Sequence, residues 1–216
     1  LWGRNAERGI YKTTDGGKSW APVLQIDERT GACDLVIDPS NPDIIHAAMY
    51  DRLRTGWSIQ SGGPEGGIYR SIDGGRTWRK VTEGLPETTG RIGLSVFAAN
   101  PDIIYAVIES DDGGWMVDPW SDRQKAGGVF RSDDRGLTWK RLSDYNPRAF
   151  YFSRITVDPE DADRVYLLGW ALYVSDDGGK TFRGGMAKVP HVDFHALIVN
   201  PGDTDHLLLG TDGGFY

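Results

Sequence analysis

The chain has 216 residues, of which 29 are glycine and eight are tryptophan, a pairing that excludes a flexible glycine-rich linker and supplies enough apolar surface for a core. A formal charge of −7 argues against a nucleic-acid partner and an anionic membrane surface, and no apolar run is long enough to span a bilayer. A single cysteine, Cys33, excludes an internal disulfide framework and a cysteine-rich zinc site.

Two interleaved motifs organise the chain. The first is Ser/Thr-x-Asp-x-Gly-x-Ser/Thr-aromatic. It runs Thr13, Asp15, Gly17, Ser19, Trp20, then Ser71, Asp73, Gly75, Thr77, Trp78. It returns as Ser132, Asp134, Gly136, Thr138, Trp139 and as Ser175, Asp177, Gly179, Thr181, Phe182. A fifth copy begins at Thr211 with Asp212. The second motif is an apolar strand, an Asn-Pro or Asp-Pro turn and a second apolar strand, centred on Asp38–Asp43, Asn100–Asp102, Asp158–Asp163 and Asn200–Asp205. Successive aspartates are 58, 61, 43 and 35 residues apart in the first motif (Asp15 to Asp212) and 59, 61 and 42 apart in the second (Asp43 to Asp205). Two motifs in one register indicate a structural repeat.

Each motif has a mechanical reading. Proline fixes φ, and a preceding Asn or Asp bonds its own backbone, which sets a turn. Asp-x-Gly after a strand makes a hairpin in which glycine takes positive φ and the aspartate accepts turn N–H groups. One repeat therefore predicts four antiparallel strands, A to D, near Leu35–Asp38, Ile44–Tyr50, Ile68–Ile72 and Thr77–Thr82 in the second unit. No helix is predicted. Four-stranded units of this length predict an all-β β-propeller, an arc of a larger ring. Its divisions are a half blade (1–24), three blades (25–82, 83–141 and 142–193) and a partial blade (194–216). The chain opens at Leu1 and ends inside a motif copy, so it reads as the internal part of a longer polypeptide.

The aspartate motif resembles the Asp-box, or BNR, repeat. The stretches 1–9, 30–36, 90–94, 146–148, 191–193 and 208–210 resemble bacterial proteins named "glycosyl hydrolase, BNR repeat", which are similar to sortilin propellers. That resemblance implies structural roles for Asp15, Asp73, Asp134, Asp177 and Asp212, and an extracellular or periplasmic location. It also implies a scaffold that binds a peptide, protein or glycan, with a glycoside hydrolase as the alternative. The aspartates do not complete a calcium loop of the EF-hand type, which needs a glutamate at its twelfth position.

Strand alternation puts the A–B and C–D turns on one face and the longer B–C and D–A connections (51–67, 83–93, 109–128, 142–154 and 183–194) on the other. Function is expected on the latter. Its candidate ligand-binding residues are Arg52, Arg54, Trp57, Arg91, Glu109, Trp115, Trp120, Arg148, Tyr151, His191, Asp193 and His195. Arginine and aromatic side chains are favoured at binding hot spots, and indole faces stack on sugar rings. Paired carboxylates would serve a glycosidase, but many pairs are available and none is singled out. A sialidase set built on Arg52, Arg91, Arg148, Tyr151 and Glu109 is disfavoured, because Arg91-Ile92 is followed by Gly93 and not proline. No cofactor is required. On a strand, His191, Asp193 and His195 would share one face and suit a divalent metal such as Zn²⁺, or a hydrogen-bonded polar lining.

Overall fold

A computed structural model describes residues 3–110, 123–185 and 191–216. The fold is all-β. The first sheet pairs β1 (Ile10–Lys12) with β2 (Ala21–Leu24). The second holds β3 (Thr30–Ile37), β4 (Ile45–Arg54), β6 (Gly67–Ser71) and β7 (Arg79–Val81), with β5 (Ile59–Ser61) paired to the far end of β4. The third holds β8 (Ile92–Val96), β9 (Ile104–Ile108), β10 (Gly128–Ser132) and β11 (Lys140–Ser143). β12 (Arg154–Val157), β13 (Val165–Leu168) and β14 (Leu172–Ser175) form the fourth. β15 (Phe194–Val199), β16 (Leu207–Thr211) and β17 (Gly214–Phe215) form the fifth. All pairs are antiparallel. Among the described residues no helix is long and apolar enough to cross a membrane.

Strand alternation explains how the sheets stack. In β9 every residue is buried, because both faces of the third sheet are covered. Ile104, Ala106 and Ile108 pack with Ala48 and Ile68 of the second sheet. Tyr105 and Val107, pointing the other way, pack with Ile155, Val157, Val165 and Leu167 of the fourth. The same switch recurs in β13, where Tyr166 and Leu168 meet Phe194, Val199 and Leu209 of the fifth sheet. In β4, Ala47 and Met49 meet Ile10 and Leu24 of the first.

The leading strands β3, β8 and β12 run side by side in the same direction. The Leu94 N–H donates to Asp34 Oδ2 at 2.9 Å, and the Val157 N–H donates to Ser95 Oγ at 3.0 Å. This alignment brings the starts of β3, β8 and β12 to one edge of the molecule.

The expected β-propeller is corrected here. The described residues form five separate antiparallel sheets, and no sheet closes on itself or into a ring. Closure would require the outer face of the fifth sheet to be covered. Instead Ile198 is 62% exposed and Phe215 is 81% exposed.

Four aspartate hairpins share one hydrogen-bond pattern. At Asp73, Oδ1 accepts from Ser71 Oγ (2.8 Å) and from the N–H groups of Arg76 and Thr77 (2.9 Å each), while Oδ2 accepts from Thr77 Oγ1 (2.6 Å). Asp15, Asp134 and Asp177 repeat it. Gly74 and Gly75 take φ of 70° and 85°, which an L side chain resists. Arg135 occupies the Gly74 position of its own hairpin at φ 58°, held by Asp102, whose carbonyl accepts its N–H and whose Oδ1 lies 2.7 Å from its Nε. Asp212 does not follow the pattern, since its Oδ1 lies 3.0 Å from His195 Nε2. The closing tryptophan is buried only where a neighbouring sheet covers it. Trp139 is 5% exposed, with its backbone N–H donated to the carbonyl of Glu83, just after β7, at 3.1 Å, whereas Trp20 is 60% exposed.

The hairpin hydrogen bonds hold these carboxyls low. The Ser19 hydroxyl, then the Ser19 N–H and the Thr13 hydroxyl, bring Asp15 to about 2. At Asp177, slight burial acts upward but is outweighed by the hydroxyl and N–H of Thr181 and the hydroxyl of Ser175, again giving about 2. A folded-state value below the unfolded one means stability that is present above the ordinary carboxylate range and lost as pH falls through about 2. Acid unfolding monitored by circular dichroism should therefore steepen between about pH 4 and 2. Asp177→Ala should lower Tm by about 2–4 °C at neutral pH and flatten this acid limb; an unchanged Tm would remove the hairpin's structural role.

Candidate functional site

At the edge where the leading strands begin, β4 continues past its sheet partners and turns into β5. Arg52 pairs with Ser61 and Arg54 with Ile59 across this ribbon. Its tip is closed by the Thr55 N–H donated to the Ser58 carbonyl at 2.8 Å, and Trp57 stands there 90% exposed. Beside the ribbon lies an open cleft of about 470 Å³, whose lining includes Glu7, Arg8, Cys33, Tyr50, Arg52 and Arg91.

A buried polar network backs this cleft. Ser61 Oγ donates to Glu109 Oε2 at 2.7 Å, and the Arg91 N–H donates to the same oxygen at 2.8 Å. Tyr50 Oη lies 2.6 Å from Ser61 Oγ. The Arg91 carbonyl in turn accepts the Glu109 N–H at 2.9 Å. Gly90 has no room for a side chain, since a Cβ there would lie 2.3 Å from Glu109 Oε2. Glu109 is 3% exposed, and burial pushes its carboxyl upward against the Arg91 N–H, the Ser61 hydroxyl and the charges of Arg91 and Arg52. It thus stands behind the cleft wall and positions Arg91 and Ser61. Asp51, also buried and pushed up by burial, faces away and is held by Arg29 at 2.9 Å.

A second group forms where the connection into β12 meets the β13–β14 turn. Arg148, at φ 46°, lays its guanidinium over the ring of Trp170 (4.4 Å to the centroid) and over that of Tyr151 (4.8 Å). Tyr151 meets the His195 ring edge-on at 5.8 Å. This cluster combines cation–π contacts with half-exposed aromatic faces.

The structure thus brings Arg52 and Arg91 together in one cleft with Glu109 behind it, and Arg148, Tyr151 and His195 together in a second group. Arg54 and Trp57 stand on the ribbon. Trp115 and Trp120 lie outside the described residues. The metal triad does not assemble: Asp193 takes φ 65°, which breaks the strand before Phe194, and His191 turns its Nδ1 to the Val192 carbonyl at 2.6 Å. Among the described residues no group of three His, Cys, Asp or Glu could hold a metal ion.

Sequence reasoning missed Tyr50, Ser61, Arg8 and Trp170. Tyr50 was reachable, since it lies two residues before Arg52 and strand alternation puts both on one face. Ser61 was not, because its partner Glu109 is 48 positions away.

No family model matches the sequence. The chain is 26% identical over 194 residues to a xyloglucanase of Acetivibrio thermocellus, covering 86% of this chain and 18% of that protein. It is 30% identical over 131 residues to a xyloglucanase of Hypocrea jecorina, covering 54% of this chain and 15% of that protein. An ancestral GH74 enzyme superposes with a TM-score of 0.66 at 19% identity, over 94% of this chain and 27% of that one, which is a likeness of fold. The chain therefore spans less than a fifth of the length of these two xyloglucanases. These relatives correct the expected kinship with BNR-repeat, sortilin-like propellers and the peptide- or glycan-binding scaffold read from it: the similarity runs to glycoside hydrolases.

Truncating the buried carboxyl tests the network. Glu109→Ala leaves the Ser61 hydroxyl and the Arg91 N–H without their acceptor and should cost about 1–3 kcal/mol in urea unfolding. Glu109→Gln keeps an accepting oxygen and should stay within about 1 kcal/mol of the parent. Equal losses in both variants would show that charge, not hydrogen bonding, is what matters there.

Proposed function

We propose that the chain is part of a glycan-acting glycoside hydrolase of the xyloglucanase kind, and that its loop edge is a surface along which a glycan chain lies. The observation that carries this reading is the grouping of aromatic and guanidinium side chains on one edge. That edge carries Trp57 on the ribbon, the Tyr50, Arg52 and Arg91 cleft, and the Arg148, Tyr151 and Trp170 cluster. Aromatic faces take sugar rings, and arginine forks take hydroxyl or carboxylate oxygens. The xyloglucanase relatives support the substrate class. Polymeric glycans do not cross membranes, so an extracellular or periplasmic location follows from the same reading.

The full-length protein should release reducing sugar from xyloglucan in preference to xylan or carboxymethylcellulose. Trp170→Ala and Trp57→Ala should raise KM several-fold with little change in kcat, because the lost contacts bind ground state and transition state alike. Absence of both binding and turnover on these glycans would overturn the proposal.

A further inference from the structure

Several arginines elsewhere in the fold are paired. Arg29 holds Asp51, Arg131 holds Asp133 and Asp163, Arg135 holds Asp102, and Arg164 and Arg183 share Asp176. Arg8 spends its guanidinium on the carbonyls of Arg29 and Gly3, both at 2.8 Å. Arg52 and Arg91 differ. Both line the cleft, yet no carboxylate or carbonyl among the described residues takes either guanidinium, and Arg52 Nε is buried without a hydrogen-bond partner. Arg52 contacts the Tyr50 ring at 6.0 Å. Glu109 stands behind them and its charge acts on both, but neither guanidinium hydrogen-bonds its carboxylate, whose Oε2 accepts from Ser61 Oγ and the Arg91 amide. Glu7 is the carboxylate on the cleft wall, against three guanidinium groups. In a chain of net charge −7, this cleft wall gathers three arginines beside one carboxylate.

We infer that Arg52 and Arg91 form a binding site for the carboxylate of an acidic sugar, a uronosyl unit carried by the glycan. The inference rests on the glycan reading above and deepens it. Planar guanidinium forks match a carboxylate bidentately, which a neutral hydroxymethyl group does not reproduce. The cleft is open and large enough for a sugar ring, and the exposed indole of Trp57 stands on the same ribbon that carries Arg52.

The test uses the full-length protein, calorimetry and two probes that differ only at one carbon. They are a galactosylated xyloglucan oligosaccharide and the same oligosaccharide oxidised at galactosyl C6 to the uronate. The uronate should bind about tenfold more tightly in 20 mM NaCl, the size of one charge-assisted interaction, and the preference should shrink in 300 mM NaCl. Arg52→Gln with Arg91→Gln should abolish the preference, the uronate losing about tenfold more affinity than the neutral probe. The Lys counterparts should retain a reduced, salt-sensitive part of it. Should the double variant fail to fold, the single variants and the salt response of the parent decide. Equal binding of the two probes by the parent overturns the carboxylate site and leaves the glycan reading standing; no binding of either overturns both. If inorganic phosphate alone binds as tightly as the uronate and displaces it, the site takes small anions and the uronate assignment falls.

Discussion

A strand whose residues are all apolar cannot be left with one face in water, and β9 imposes that condition on everything around it. Ile104, Ala106 and Ile108 need one neighbouring sheet, and Tyr105 and Val107 need another. The burial of the isoleucine and valine side chains contributes roughly 1.5–3 kcal/mol each, so the second and fourth sheets are drawn against the third from both sides. Once the sheets stack, β3, β8 and β12 must lie beside one another. The connections that precede them are then gathered at a single edge. The arginine cleft and the Arg148 cluster both exist because of that gathering.

The two edges of each sheet are built on different physics. On one, the aspartate hairpins satisfy their own turn N–H groups and leave short, rigid corners. On the other, long connections are held by interactions between distant segments. The Ser61, Glu109 and Arg91 network is of this second kind. Its partners come from the ribbon after β4, from the end of β9 and from the residue before β8. Such a network fixes where a guanidinium stands without consuming it. That is the property a binding edge requires, and the self-satisfied hairpins have no equivalent of it.

Local chemistry was legible in the sequence and long-range chemistry was not. The all-β class and the strand–turn–strand order follow from alternation and from Asp, Gly and Pro at fixed offsets, all interactions within a few residues. The ribbon of β4 and β5 escaped because 51–67 looked like an irregular connection, although alternation runs on through Tyr50, Arg52 and Arg54. A propeller arc was expected from repeat counting, but the described sheets do not close into a ring, and what covers Ile198 and Phe215 is encoded by no repeat motif. The proposed metal site failed on one backbone angle, at Asp193, that strand periodicity cannot foresee. Arg52, Arg91, Arg148 and Tyr151 were nameable as loop residues. Their division into a cleft and an aromatic cluster came only with the packing.

The central claim is that the edge at which β3, β8 and β12 begin, and not the hairpin edge, receives the glycan. Hydrogen exchange of the full-length protein with and without a xyloglucan oligosaccharide tests it most directly. Slowed exchange is expected in 50–61, 89–91 and 148–151 and around Trp170, with the aspartate hairpins at 73–77, 134–138 and 177–181 unchanged. Protection concentrated on those hairpins, or none anywhere in this chain while the protein binds the oligosaccharide, would contradict the account.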